Sequence, residues 1–321
     1  MKILGLSCGR KLGNSELLVI ESLMAAKEHD KNIDVELLRL WDLKLKPCKG
    51  CLTCVKSYLS NDGPPGKCAI NDDDIAWFSD KLLDADGVII ATPIYTGEHH
   101  GYFRVLSDRM GPTHDVAFQL YAKNKGNTLV DERFFKPRVA GTMAVGGGME
   151  CDLQLALPTL QESFLSSMMI PVVDHFTAVG ASEARQVLLN DNTMKRAVEL
   201  GRNVAKSLGS TINEAKFIGD NPGICPVCHE NVLLVGKKQP VVCPLCGIKG
   251  TIKLEGDEIK VVFPEEEIKD CRRISIETRI QHIIDIGDWH QDFYNRAEEA
   301  KRKFKKYKSF KYYAKPRSKK G

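Results

Sequence analysis

Two Cys-x-x-Cys pairs, Cys225/Cys228 and Cys243/Cys246, stand fourteen residues apart. A stretch of about 50 residues buries too little apolar surface to hold itself together. Two such turns facing each other present four thiolates in the arrangement a tetrahedral metal needs. The spacing therefore constrains residues 217–265 to close around an ion. A second group, Cys48, Cys51, Cys54 and Cys68, repeats the x-x spacing twice before a longer gap. Together the groups take eight of the eleven cysteines. In a reducing compartment such clusters hold metal rather than disulfides. The first fifteen residues carry no apolar core of secretory-signal length, so a cytoplasmic location is expected. No run reaches the roughly 20 apolar residues of a membrane span.

Ahead of the metal module, short apolar runs alternate with amphipathic stretches. The runs cover 2–6, 35–38, 87–91, 139–145 and 172–179, and helices are expected over 15–29, 72–83, 100–110, 153–168 and 193–208. Pro158 is an expected kink in the fourth helix. Segments 41–71 and 111–136 read as loops. This alternation predicts an α/β fold, a doubly wound five-stranded parallel sheet of flavodoxin-like type over residues 1–209. Residues 217–265, with β-prone runs at 231–235, 250–254 and 259–263, form a zinc-ribbon-like or rubredoxin-like domain. Residues 272–321 are expected to form a helical segment ending in a basic tail, with His282, Trp289 and His290 packing against the ribbon or contacting a partner.

Ligands of an open parallel sheet bind beyond the carboxyl ends of its strands. Residues 7–15 (SCGRKLGNS) lie at such an end and lead into a helix N-terminus, which attracts a phosphate. Thr92–Gly97 follows the third strand and Gly146–Gly148 the fourth. The first segment resembles the phosphate loop Gly-Ser-Pro-Arg-Lys-x-Gly-Asn-Thr of NADPH-dependent FMN reductase-like flavoproteins, with Cys8 where those proteins usually carry Ser. The other two resemble their flavin loops. The resemblance covers about residues 1–208 and implies FMN as cofactor. Ser7, Arg10, Gly13, Asn14 and Ser15 would surround the phosphate. Pro93, Ile94, Tyr95, Thr96 and Gly97 would line the isoalloxazine, and Gly146, Gly147 and Gly148 would flank it. No side chain is expected to act as a nucleophile. His99 and His100 either touch the ring or substrate or simply start a helix.

Pro47 to Cys54 with Cys68 resembles the cysteine motif of the iron–sulfur flavoproteins, a branch of the same family. That implies a 4Fe-4S cluster on Cys48, Cys51, Cys54 and Cys68, within the loop 47–70. Zinc or unliganded thiols are the other readings. At Cys225, Cys228, Cys243 and Cys246 the short gap and few aromatics favour zinc, with iron open. An FMN-dependent oxidoreductase follows, moving electrons from NAD(P)H or a ferredoxin-type donor to an acceptor. A cluster-free reductase of a quinone or nitro compound is the alternative. The resemblance also implies a homo-oligomer. Charge supplies a third reading. The chain's net +4 divides unevenly, because residues 301–321 hold 11 of the 46 Lys and Arg and none of the 42 Asp and Glu. The first 300 residues therefore carry −7. Phe304, Tyr307, Phe310, Tyr312 and Tyr313 interleave the basic residues, a pattern suited to nucleic acid or to an acidic partner.

Overall fold

The computed structural model describes residues 1–61, 63–312 and 314. Its strands are β1 (Lys2–Ser7), β2 (Asp34–Arg39), β3 (Gly87–Tyr95), β4 (Glu98–His99), β5 (Val139–Val145), β6 (Val172–Ala178), β7 (Val241–Val242), β8 (Lys249–Glu255) and β9 (Glu258–Val262). Its helices are α1 (Asn14–His29), α2 (Thr53–Ser60), α3 (Ile75–Asp84), α4 (Gly101–Ser107), α5 (Gly111–His114), α6 (Val116–Asn124), α7 (Ala156–Leu160), α8 (Asp191–Ser207), α9 (Glu265–Lys269), α10 (Ile276–Asn295) and α11 (Ala297–Phe304).

Five parallel strands run in the order β2-β1-β3-β5-β6, the flavodoxin-like order. Strand periodicity sends alternate residues to opposite faces. Leu4, Leu6, Val88 and Ile90 join Phe78, Phe103 and Phe164 in one buried layer. Ile3, Ile89 and Met143 join Leu18, Val19, Leu200 and Val204 in the other. In this second layer α1 and α8 nearly touch. Ser22 Oγ donates to the Ala197 carbonyl at 2.8 Å, and a Cβ on Gly201 would lie 2.0 Å from the Ser22 carbonyl oxygen.

Several local expectations change. The stretch 41–71 contains α2, so Cys54 sits on a helix. The stretch 111–136 contains α5, α6 and a 3-10 turn at Glu132–Phe135. The helix expected over 153–168 shortens to α7 and then widens into a π turn at Gln161–Leu165. Pro158 supplies no N–H to the preceding turn, and the ladder resets beyond it. The run 231–235 forms no strand; it makes a single bridge, Leu234 to Val242.

The four-cysteine module carries the small antiparallel sheet β7-β8-β9 and its own buried cluster. It docks on the large sheet's last strand. His175 Nε2 meets the His229 carbonyl at 2.8 Å, and Phe217 stacks on His229 at 4.4 Å. The buried Gln161 side chain, presented by the π turn, donates to Glu230 and accepts from Arg273 at 3.0 Å. Helix α10 packs on α2 and α6 rather than on the ribbon. Ile283 meets Tyr58, Ala117 and Phe118 there, and Arg279 forks onto Asp115 at 2.6 and 3.2 Å. Apolar residues at i, i+4 and i+7 (Ile276, Ile280, Ile283) explain the choice, because they form one stripe along the helix that packs into this cluster. Among the described residues, no helix is long and apolar enough to cross a membrane. Tyr313 and the basic residues from 315 onward lie outside the described residues.

Candidate functional site

At the carboxyl edge of the sheet, where strand order reverses between β1 and β3, a cleft of about 250 Å³ opens. Of the residues the sequence offered for the cofactor, Arg10, Gly13, Asn14, Ser15, Pro93, Ile94, Tyr95, Gly146 and Gly147 line it. Gly9, Val145, Ala181 and Ser182 line it too and were not expected. Ala181 and Ser182 follow β6, so the rule placing ligands at strand carboxyl ends was the signal that pointed to them. Ser7, Thr96, Gly97 and Gly148 lie beside the cleft in sequence but not among its lining residues.

Helix α1 enters the cleft with no side-chain cap; its N-cap is Gly13. The first amides of the helix, with its dipole, are left to an anion. Arg10 is exposed at the same end. Glu16, fully buried in the first turn, would oppose an anion, but Arg39 forks onto it at 2.8 and 2.9 Å. That hydrogen-bonded carboxylate raises the Arg39 pKa. Cys8 points into the core, where burial pushes its thiol pKa upward. Ser7 Oγ, at the carboxyl end of β1, is buried with no hydrogen-bond partner. An uncapped helix, a basic side chain and backbone-lined walls fit a phosphate and a flat ring.

Asn14 has a different task from the one its motif position suggests. Its Nδ2 donates to the carbonyls of Ala181 and Glu183 at 3.0 and 2.8 Å, and its Oδ1 accepts from Val187 N at 3.4 Å. The side chain therefore ties the loop after β6 to the start of α1, and the amide's two donors are both engaged.

Strand β3 runs through Pro93, Ile94 and Tyr95 and turns back into β4. Thr96 and Gly97 both have positive φ, 55° and 83°. Two such residues make the hairpin turn that matches strand twist. Glycine adopts it freely and β-branched Thr96 does not, a strain typical of functional loops. Tyr95 is left 58% exposed over the cleft. Beside it stands an aromatic group whose Trp41 the sequence pattern did not reveal. The His100 ring meets Tyr95 at 5.4 Å and Trp41 at 5.0 Å, and Trp41 stacks on Tyr102 at 5.0 Å. Trp41 comes from the carboxyl end of β2, far away in sequence.

The two cysteine groups differ. Cys225, Cys228, Cys243 and Cys246 are buried with all four sulfurs within 4.8 Å of one another. Cys225–Cys246 and Cys228–Cys243 sulfurs are 3.7 and 3.6 Å apart. A tetrahedron with arms of about 2.3 Å has edges of about 3.8 Å, so the spacing suits one thiolate-bound ion. Cys271 joins this cluster, its thiol donating to the Cys246 carbonyl at 3.3 Å.

Cys48 and Cys51 are exposed, and Cys54 and Cys68 are half-buried. Among the described residues they do not form a group as tight as the other four. Burial, then the neighbouring Cys68 and Cys48, raises the Cys54 pKa. The Thr53 hydroxyl lowers that of Cys51. The ends of their loop are clamped together by buried Arg109, which donates to the carbonyls of Lys46 at 2.8 Å and Ile70 at 3.0 Å. The same guanidinium pairs with Asp73 at 2.7 Å, both side chains 1% exposed. Asp73 and Asp74 also accept the backbone N–H groups of Lys46 and Lys44. The acidic triplet at 72–74 thus anchors the cysteine loop.

Comparison with known proteins places these features. Residues 1–183 match the sequence model of the NADPH-dependent FMN reductase family. A flavone synthase of Aspergillus candidus is 31% identical over 295 residues, covering 88% of each chain. An iron–sulfur flavoprotein of Methanocaldococcus jannaschii is 31% identical over 222 residues, 67% of this chain and all of its own. A solved structure of a flavone reductase superposes with a TM-score of 0.80 at 28% identity, over 98% of this chain and 100% of that one.

Proposed function

The chain belongs to the NADPH-dependent FMN reductase family and is an FMN-dependent oxidoreductase; from that premise we propose that it takes hydride from NAD(P)H and reduces a small planar conjugated carbonyl compound of the flavone kind. The observation that carries the reading is the cleft where the uncapped start of α1 meets the backbone of 93–95 and 145–147. Likeness to the two flavone enzymes supports the substrate class, because it extends through the metal module into the C-terminal helices. Bound FMN supplies hydride exchange at its ring. In this reading Arg10 and the first amides of α1 bind the phosphate. Pro93, Ile94, Tyr95, Gly146 and Gly147 would hold the ring, and Asn14 keeps the 181–187 wall in place.

The test is isolation without oxygen followed by flavin extraction, then NADPH-dependent loss of the apigenin absorption band. About one FMN per chain and loss of that band are expected. A colourless protein that takes up no added FMN refutes the reading. Zinc at Cys225, Cys228, Cys243 and Cys246 is part of the proposal, favoured by four buried thiolates at tetrahedral spacing in a structural module. Metal analysis finding iron there in place of zinc overturns that assignment.

One observation favours a second reading. Arg109 draws the two ends of the 47–70 loop together through the carbonyls of Lys46 and Ile70, an arrangement that supports convergence of the cysteines between them. A 4Fe-4S cluster on Cys48, Cys51, Cys54 and Cys68 would make the chain an electron-transferring iron–sulfur flavoprotein, served by a ferredoxin-type donor. Iron and sulfide that disappear in Cys51→Ala support it; an iron-free protein from oxygen-free isolation ends it.

A further inference from the structure

The proposed reduction leaves one ring at the site without a task. His100 stands between Tyr95, which lines the cleft, and Trp41, which is 53% exposed. We propose that His100 donates a hydrogen bond from Nε2 to the carbonyl oxygen of the conjugated substrate, whose aromatic ring stacks on Trp41. This rests on the reading of the cleft as the FMN site of a reductase.

The direction of that hydrogen bond follows from the other ring nitrogen. His100 is the N-cap of α4, and its Nδ1 accepts the Tyr102 backbone N–H at 3.0 Å. A nitrogen that accepts carries no proton, so in the neutral ring the proton sits on Nε2. Protonating the ring would set one N–H against another and break the cap. Burial and the neighbouring His99 also lower its pKa, which keeps the neutral form at pH 7. The rings packed against it are Trp41 and Tyr95.

The platform beside this donor is rigid. The Tyr102 hydroxyl donates to the Leu43 carbonyl at 2.7 Å and accepts from Leu45 N at 2.9 Å. Trp41 lies nearly parallel on Tyr102, at 16°. A fixed, half-exposed indole next to a fixed N–H donor matches a flat ring bearing a carbonyl. In the reaction, hydride from the nicotinamide, relayed at the flavin site, forms a C–H bond at the carbon β to the carbonyl. The C=C π bond breaks and its electron pair moves to the carbonyl oxygen. His100 holds that developing oxyanion while keeping its own proton, and water supplies the proton that ends on the α carbon. A donor aimed at charge that appears only in the transition state acts mainly on kcat.

The experiment uses FMN-loaded protein with apigenin as probe. Its dissociation constant is read from the change in the oxidised flavin's visible band, with no nicotinamide present, and kcat and KM from NADPH-driven turnover. His100→Asn retains an N-cap acceptor but not the Nε2 donor, whereas His100→Ala removes both. Both are expected to lower kcat about 100-fold, the scale for loss of one oxyanion donor. Trp41→Leu is expected to weaken apigenin binding about tenfold with little change in kcat. FMN content is measured in each variant. Wild-type turnover with an unaltered kcat in FMN-loaded His100→Asn and His100→Ala overturns this inference alone. A wild-type protein that loads FMN but neither binds nor reduces apigenin overturns it together with the substrate reading.

Discussion

Asn14 distinguishes a phosphate ligand from a loop tie. Replacing it by Asp keeps the shape but turns the amide nitrogen, with its two N–H donors, into one oxygen facing the carbonyls of Ala181 and Glu183, now 3.0 and 2.8 Å away. Two hydrogen bonds at a net of about 1 kcal/mol each are lost. A negative charge in the first turn of α1 returns about 0.3–1 kcal/mol. The net loss is about 1–2 kcal/mol before any repulsion between the oxygens. At about 2–4 °C per kcal/mol for a chain of this class, calorimetry of the FMN-free protein should show Tm lower by roughly 2–8 °C. Arg10→Ala is the comparison. Arg10 is exposed, so its removal should leave the FMN-free Tm unchanged. It should still weaken FMN binding by about 10–100-fold, the loss of one charge-assisted contact worth about 1.5–3 kcal/mol. If Asn14→Asp behaves like Arg10→Ala, with FMN affinity down and FMN-free Tm unmoved, Asn14 is a phosphate ligand and the tie is wrong.

Two further outcomes follow from the core. Gly201→Ala places a Cβ 2.0 Å from the Ser22 carbonyl oxygen, on backbone that cannot swing aside. Overpacking costs about 1–3 kcal/mol and outweighs the helix-propensity gain of about 1 kcal/mol; a raised Tm would show that α1 and α8 are not so close. For Asp73, burial raises the pKa, but Arg109 and the Lys46 N–H outweigh it and the folded value lies below the ordinary one. Its stability contribution is therefore present above the unfolded value of about 4 and is lost as pH falls through the lower folded value. Asp73→Asn should be about 3–5 kcal/mol less stable at pH 7, and should lose less on acidification than the parent. Thermal melts from pH 7 to pH 3 that fall in parallel would contradict this.

The strand–helix alternation was legible because period-2 and period-3.6 patterns are local. The helices inside 41–71 and 111–136 were not. Helix α2 follows a left-handed Leu52 and buries only Val55 and Tyr58, and Tyr58 finds its partners in Phe118 and Ile283, far along the chain. A short helix whose apolar partners lie on distant elements leaves no clear periodic mark. Similarly, the motif at 7–15 marked Asn14 as part of a site without revealing what its amide would hold.

What spacing carries was legible in the sequence. Two facing Cys-x-x-Cys turns bring four thiols together, and a glycine-rich turn between a buried strand and a helix leaves the first backbone amides of α1 uncapped. What depended on tertiary structure was every partnership between distant segments. These include Asn14 with the loop after β6, Arg109 closing the cysteine loop, Cys271 joining the ribbon, and Trp41 reaching His100. The physical reason is range. Backbone periodicity and turn chemistry act over a few residues, whereas a hydrogen bond or ring contact between side chains far apart exists only after the sheet's order has set which strand ends are neighbours.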